Sequence, residues 1–293
     1  MLNKYAIIMT ASKGLHLGAN ALLNSLDYFG NNNLDFYLIN DFDKEYIENT
    51  KALNFPVIDI KFKDLKYEIP KKKQSIGWMA RFYRWRFAGE IAEKYDSILI
   101  VDADMIFLNN IMQYFELAAQ SDFIFVVNNP VGYSMEGIKE KGFELLRGAS
   151  SPPVHCMPIF MDGRKYKYLF KEIWEYGLKE DYGDMTTVVK TLFRNKLADK
   201  LFRMPNALWI QTWWYHDAIE YFGANKKYLL CAKERMNMIH GRWWLPDQCN
   251  KYKGIKEPEL FGFGRHNAKL FFEQYKKFNT QWKVKINFPY KHD

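Results

Sequence analysis

Cysteine is scarce in this 293-residue chain: Cys156, Cys231 and Cys249 are the only three, and no two form a C-x-x-C pair. That excludes a disulfide framework and a cysteine-built zinc site, and leaves reduced, mostly buried thiols as the expectation. Long apolar runs are also missing. No stretch approaches the roughly 18 apolar residues that a membrane-spanning helix requires. The start, Met1 to Thr10, reads as a strand rather than a signal peptide, so the expected setting is the cytoplasm. Internal repeats and low-complexity tracts are absent, and a composition of 48% hydrophobic and 26% charged residues excludes wholesale disorder. Acidic residues are outnumbered, 34 against 42 basic ones, for a net charge of +8. Such an excess favours an anionic partner. Apart from Lys71-Lys72-Lys73 the basic residues are dispersed, so no nucleic-acid stripe stands out. Aromatics, in contrast, are plentiful at 17%, enough for stacking surfaces as well as a core.

The pattern along the chain is that of an α/β protein. Tyr5 to Thr10 reads as a buried strand, and Leu15 to Phe29 carries apolar residues at helical spacing until Gly30 ends it. A strand at Asp35–Ile39, a short helix at Lys44–Leu53 and a strand at Val57–Ile60 follow. This alternation predicts a parallel sheet with helices on its faces. Residues 61–75 read as a basic loop, and Gly77–Tyr95 as a long helix. Ser97–Val101 is the clearest buried strand, followed by a helix at Ile111–Ala119 and strands at Phe123–Val127 and His155–Met161. Between those strands, residues 128–153 are rich in Gly, Pro and Ser and read as a mobile loop over a site. Helices are expected at Tyr166–Tyr176, Met185–Arg194 and Asn267–Phe278.

Chemistry concentrates where the strand Ser97–Val101 runs into Asp102-Ala103-Asp104. In an open α/β sheet, ligands bind beyond the carboxyl ends of the strands. Two carboxylates at i and i+2 on such an end repel each other unless a cation sits between them. A hard divalent ion bridging carboxylates and a diphosphate is the expected use, with a solvated turn as the plain alternative. Phosphatases of the haloacid dehalogenase type also place Asp-x-Asp after a strand. They carry it near the N-terminus, whereas here at least three strands precede it.

The chain resembles nucleotide-sugar glycosyltransferases of the GT-A fold, and most closely glycosyltransferase family 8. The likeness runs from about residue 5 to about residue 245. It rests on Asp102-x-Asp104 after an apolar strand, on the Arg-bearing helix Met79–Tyr95 and on Tyr182-Gly183-Asp184 before a helix. Met204-Pro205-Asn206 and Met238-Ile239-His240-Gly241 add to it. There are departures. Ser12 stands where the family has an acidic residue, His155-Cys156-Met157 replaces its Asn-x-Gly strand motif, and Met185 replaces a Gln. The Lys of its His-x-x-Gly-x-x-Lys element is missing, with Arg242 or Lys251 as substitutes.

The resemblance implies a Rossmann-like, mostly parallel central sheet flanked by helices. Residues 1–245 would form the transferase domain, and 246–293 an aromatic and basic extension packed on or beside it. It implies a metal-dependent transfer of a sugar from a nucleotide diphosphate sugar, with UDP favoured, to a hydroxyl acceptor, with retention of configuration. Mn²⁺ or Mg²⁺ would be held by Asp102, Asp104 and His240, although a lone histidine is more often a structural hydrogen-bonder. Asp184 would contact the transferred sugar or cap its helix. Arg84 and Arg81 share a helical face and would help place the donor, with Arg86 left open. Thr10, Ala11 and Ser12 would meet the nucleoside and Ala103 the donor. Asp41 would touch base or ribose or form a surface turn. His155 would face donor or acceptor, or be a buried polar residue. Trp209, Trp213, Trp214, Trp243 and Trp244 would divide between core packing and an acceptor site. The acceptor favoured is a glycan; protein, lipid-linked sugar and modified DNA stay open, as does peripheral membrane contact. The alternatives are a phosphatase or nucleotidyltransferase using the same carboxylates, and a non-catalytic nucleotide- or glycan-binding module.

Overall fold

A computed structural model describes residues 4–129, 134, 137–138, 153–205, 208–211, 219–222, 228–231, 234–240 and 265–286. The first half alternates as the periodicity requires: β1 (Tyr5–Ala11), α1 (His16–Tyr28), β2 (Asp35–Asn40), α2 (Lys44–Thr50) and β3 (Val57–Lys61). Then come α3 (Ile76–Ile91), β4 (Ser97–Asp102), β5 (Met105–Phe107), α4 (Met112–Gln120), β6 (Ile124–Asn128) and β7 (Val154–Asp162). Helices α5 (Lys167–Lys179) and α6 (Asp184–Arg194) lead to β8 (Leu201–Met204) and β9 (Trp209–Gln211). Short strands β10 (Ile219–Phe222), β11 (Tyr228–Cys231), β12 (Glu234–Arg235) and β13 (Met238–His240) precede α7 (Arg265–Thr280). The ends expected from the sequence fall within a few residues of these. Strand β5 and the strands from β8 to β13 were not expected.

Seven strands form the central sheet in the order β3-β2-β1-β4-β7-β6-β8. All neighbours pair in parallel except those of β7, which runs against both β4 and β6. The sheet is thus mostly parallel, with one reversed strand. β1 and β4 are nearly all apolar and fully buried, as befits central strands covered on both faces. Their register pairs Thr10 with Asp102, and Ala11 pairs with Asn40 of β2. The carboxyl ends of β2, β1 and β4 therefore lie side by side, and the start of β7 joins them at the same edge.

Helices α3, α5 and α6 pack as a layer. Their closeness depends on Gly177 of α5, where a Cβ would fall 2.3 Å from the Phe82 ring of α3. Lys73, buried at the end of the basic loop, donates to the Gly177 and Glu180 carbonyls and pairs with Asp181 at 3.3 Å. The loop is thereby tied to the turn that leads into α6. On the other face, α7 and the residues after it lie on α1. Asn24 Nδ2 donates to the Phe278 and Val284 carbonyls at 2.7 and 2.8 Å, and Val284 N–H returns a bond to Asn24 Oδ1. The boundary expected at residue 245 lies outside the described residues, as does most of the 128–153 loop.

β5 turns back immediately after Asp104 and pairs antiparallel with β13, which also pairs in parallel with β9. A separate three-stranded antiparallel sheet holds β10, β11 and β12. Among the described residues, no helix is long and apolar enough to cross a membrane.

Candidate functional site

The site forms where β4 leaves the sheet. Asp102 is the last residue of β4, and Asp104 follows after the buried Ala103. Pairing of β5 with β13 sets His240 opposite Met105, one residue beyond Asp104. His240 Nε2 consequently lies 2.9 Å from Asp104 Oδ1 and 3.5 Å from Asp102 Oδ2. One ligand atom from each of the three side chains fits within a 4.8 Å span. Two carboxylate oxygens and one imidazole nitrogen suit a divalent ion such as Mn²⁺ or Mg²⁺. The residues present therefore fit the metal that the sequence pattern implied.

Arg84 organises the rest. Its side chain is only 2% exposed and spans two carboxylates: Nη1 to Asp102 Oδ1 and Nη2 to Asp184 Oδ2, each at 2.5 Å. Nη1 also donates to the Val101 carbonyl at 2.8 Å. Burial alone would lower the affinity of this guanidinium for its proton. Asp102 and Asp184 outweigh that and hold it well above the ordinary arginine value. Two carboxyl groups, Asp102 and Asp184, thus share one guanidinium, and a third, Asp104, meets His240 beside them. The surplus of negative charge is what a divalent cation would balance.

Asp184 is the first residue of α6, with Gly183 as its cap, so its carboxylate serves Arg84 rather than capping the helix. Its place in the first turn is still favourable to the helix dipole. Arg81, one turn before Arg84, is exposed; its Nε donates to the Gly77 carbonyl, and its Nη1 lies beside Gly183. Arg86 points elsewhere, paired with Glu90 at 3.3 Å and set over the Tyr67 ring. Of the three arginines, then, two reach the Asp184 turn and one does not.

The residues expected to meet a nucleoside lie at the same edge but differ in access. The Thr10 hydroxyl is buried and donates to the Ala80 carbonyl, which pins α3 to β1. Ala11 is buried, Ser12 is half-buried, and Asp41 is exposed beyond the end of β2. Trp209 belongs to the core, edge-on to Tyr114 and Phe160. Trp213, Trp214, Trp243 and Trp244, with Arg242 and Lys251, lie outside the described residues. Cys156 is buried, its thiol pushed up by burial and then by the nearby Asp184. His155 is buried on the site side of β7, and burial followed by His240 pushes its imidazole down to about 3. A cavity of about 450 Å³ lined by Glu180, Asp181, Tyr182, Lys190 and Arg194 adjoins the Asp184 turn rather than the Asp102–His240 cluster.

Sequence reasoning missed the double bridge of Arg84, although the shared helical face of Arg81 and Arg84 was visible. Only packing reveals which arginine turns inward.

A seven-stranded, mostly parallel sheet with an Asp-x-Asp at the end of a central strand defines the GT-A class of fold. Solved structures agree. The chain is similar to an active-site mutant of LgtC at 14% identity, with a TM-score of 0.58 over 93% of this chain and 95% of that one. A second structure of the galactosyltransferase LgtC, in complex with donor and acceptor sugar analogs, gives 13% and 0.54 over 94% and 96%. The bifunctional glycosyltransferase WbbM gives 12% and 0.57, covering 96% of this chain. The chain spans about half the length of WbbM, 51%, and of the glycosyltransferase GlyE from Streptococcus pneumoniae TIGR4, 46%. No protein-family profile and no curated protein matches the sequence. The fold is that of the GT-A glycosyltransferases.

Proposed function

We propose that the chain is a metal-dependent glycosyltransferase that moves a sugar from a nucleotide diphosphate sugar, UDP-linked by preference, to a hydroxyl acceptor. The observation that carries this reading is the convergence of Asp102, Asp104 and His240 at the carboxyl end of β4, with Arg84 tying Asp102 to Asp184. These three side chains would hold Mn²⁺ or Mg²⁺. Bound there, the ion would supply charge neutralisation for the departing nucleoside diphosphate.

The chain's own residues take the remaining roles. Asp184 faces the transferred sugar and stabilises positive charge as it develops at the anomeric carbon. Arg84 is a positioning residue: it fixes Asp102 and Asp184 relative to each other and is too buried to reach substrate. Arg81, exposed beside the Asp184 turn, binds the donor. Ala11, Ser12 and Asp41, at the ends of β1 and β2, border the nucleoside. The acceptor class that best suits the fold is a glycan. Retention of configuration rests on the family likeness alone, a cytoplasmic setting on the reading of the sequence, and the division of the chain at residue 245 on both.

The test is thermal stabilisation by a panel of nucleotide sugars, with Mn²⁺ and with EDTA. Ligand at about 100 times its dissociation constant adds roughly 2.7 kcal/mol. We expect one sugar nucleotide to raise the melting temperature with Mn²⁺ only, and to be turned over to free nucleotide. Release of phosphate from simple esters, with no response to any sugar nucleotide, would replace this reading by a phosphatase.

A further inference from the structure

The edge of the sheet opposite Asp102 carries a cavity of its own. β1 and β4 start side by side there, Tyr5 against Ser97, and the reversed β7 ends beside them, Asp162 against Ser97. β4 runs from Ser97 to Asp102, which sets roughly 16 Å between this edge and the Asp102–His240 cluster. The cavity measures about 210 Å³. Tyr5 and Ala119 supply its apolar surface, and Lys4, Asp96, Gln120, Asp162 and Arg164 its polar surface. That is room for one sugar ring and not for a sugar nucleotide.

Several of these groups are held in place. Tyr5 is stacked on the buried Phe115, with ring centroids 5.3 Å apart. Arg164 Nη2 pairs with Asp96 Oδ1 at 2.8 Å, and its Nε donates to the Glu93 carbonyl. Asp162 Oδ1 accepts from the Lys165 N–H at 2.8 Å. Two cations, Lys4 and Arg164, stand against two carboxylates, so the lining carries no net charge. It therefore selects neither a phosphate nor a metal ion. A neutral, hydroxyl-rich ligand fits it. Carboxylate, guanidinium and amide groups bond to neighbouring hydroxyls, and the C–H face of a sugar ring packs on tyrosine.

Exposed aromatic carbon continues from the cavity. Lys165, next to Arg164, pairs with Asp122, and so does Lys200 at 3.2 Å. Beyond Asp122, Phe123 and Phe202 stand edge to face with centroids 6.3 Å apart, and they are 42% and 45% exposed. Phe202 belongs to β8, the outermost strand of the sheet. Adjoining rings left in water mark an interaction surface.

We propose that this edge is an ancillary carbohydrate-binding site, which takes one ring of a neutral glycan in the cavity and its neighbours along the shelf of Phe123 and Phe202. Binding there stands without the glycosyltransferase reading. Its use rests on that reading: a glycan acceptor held at this edge is kept at high local concentration for transfer at the other.

The test titrates the full chain, amide-labelled for NMR, with neutral linear tetrasaccharides of glucose, galactose, mannose and N-acetylglucosamine, in EDTA and without nucleotide. We expect at least one of them to shift the amides of Tyr5, Asp96, Gln120 and Gly163, with a dissociation constant on the order of 1 mM. Gln120 and Arg164 are exposed, so Gln120→Ala/Arg164→Ala should fold as wild type does, checked by circular dichroism. It should bind about 10-fold more weakly, the size of two lost hydrogen bonds. Asp104→Asn should bind the sugar as wild type does. Absence of these shifts with all of the sugars overturns the proposal, as do shifts confined to the surroundings of Asp102 and Asp184. Sedimentation with phosphatidylglycerol vesicles, lost in Phe123→Ser/Phe202→Ser and unaccompanied by sugar shifts, overturns it in favour of a membrane surface. Sugar shifts at this edge in a protein that turns over no sugar nucleotide support the site and remove only the transferase.

Discussion

Two of the buried polar clusters among the described residues are built on opposite principles. One is the latch between α1 and the C-terminal segment. Asn20 and Asn24 are fully buried, and their amides close onto Asn279, Phe278 and Val284. Asp27, alongside, accepts from the Asn54 N–H, the Trp282 indole and Lys283. The other cluster is the site, where three carboxyl groups share one guanidinium and a histidine. The latch joins amide side chains to backbone and to each other and pairs its one carboxylate, Asp27, with Lys283, so that Asn20 Oδ1 is the one atom of these asparagines left over. The site concentrates charge of one sign at the surface of the sheet and is completed from outside. The difference teaches where to look for function: a buried network that closes on itself stabilises, and one with surplus charge binds.

Substitutions can break this contrast, and the largest effect is expected at Arg84. Arg84→Met should cost about 3–5 kcal/mol in a urea melt, because it strands two carboxylates around a buried position. Added Mn²⁺ should recover part of that loss. If Arg84→Met melts like wild type, the site does not need its guanidinium and the contrast fails. Asp104→Asn should lower turnover on the order of 10²–10³-fold and abolish the Mn²⁺-dependent thermal shift, while stability without metal stays close to wild type. EDTA should do to wild type what the substitution does to the variant. Next comes Asn24→Ala in the latch, expected to cost about 1–3 kcal/mol by leaving the buried Val284 N–H without the Asn24 Oδ1 acceptor and removing the amide donor to the Phe278 and Val284 carbonyls, the latter keeping Asn20. Its activity per folded molecule should be unchanged; a fall in metal affinity would show that the two clusters are coupled.

The smallest effect is a pH slope. The His155 imidazole is held at about 3 against an ordinary 6.5, so it stays neutral when folded. Between those values the unfolded chain takes up a proton that the folded chain does not. Stability should therefore fall as the pH drops from about 6.5 toward 3, and rise again in the other direction. His155→Phe should remove this component, so that its acid limb is flatter than that of wild type in chemical melts at pH 7, 5.5 and 4.5. Parallel limbs would mean that His155 is not the group responsible.

The regular elements were legible because their signals are local. The apolar run at Ser97–Val101 marks a central strand, and the spacing of Met79, Phe82 and Phe87 marks α3. The short strand Met105–Phe107 was not legible. Three apolar residues after a turn carry no periodicity, and their partner lies more than a hundred residues away in β13. The reversal of β7 was hidden as well, since the strand sequence is apolar in either direction. At the site, Asp102 and Asp104 announced themselves by spacing and His240 by likeness to a motif. The inward turn of Arg84, against the outward turns of Arg81 and Arg86, had no sequence signal.

By itself, then, the sequence determined the alternation of strands and helices, the central strand and the carboxylate pair at its end, because hydrophobic period and strand-end chemistry act within a few residues. Tertiary structure alone decided that β5 would carry Asp104 to His240 and that Arg84 would join Asp102 to Asp184. Those contacts join residues 18 to 136 positions apart, and the packing of the whole sheet and its helices sets their distances.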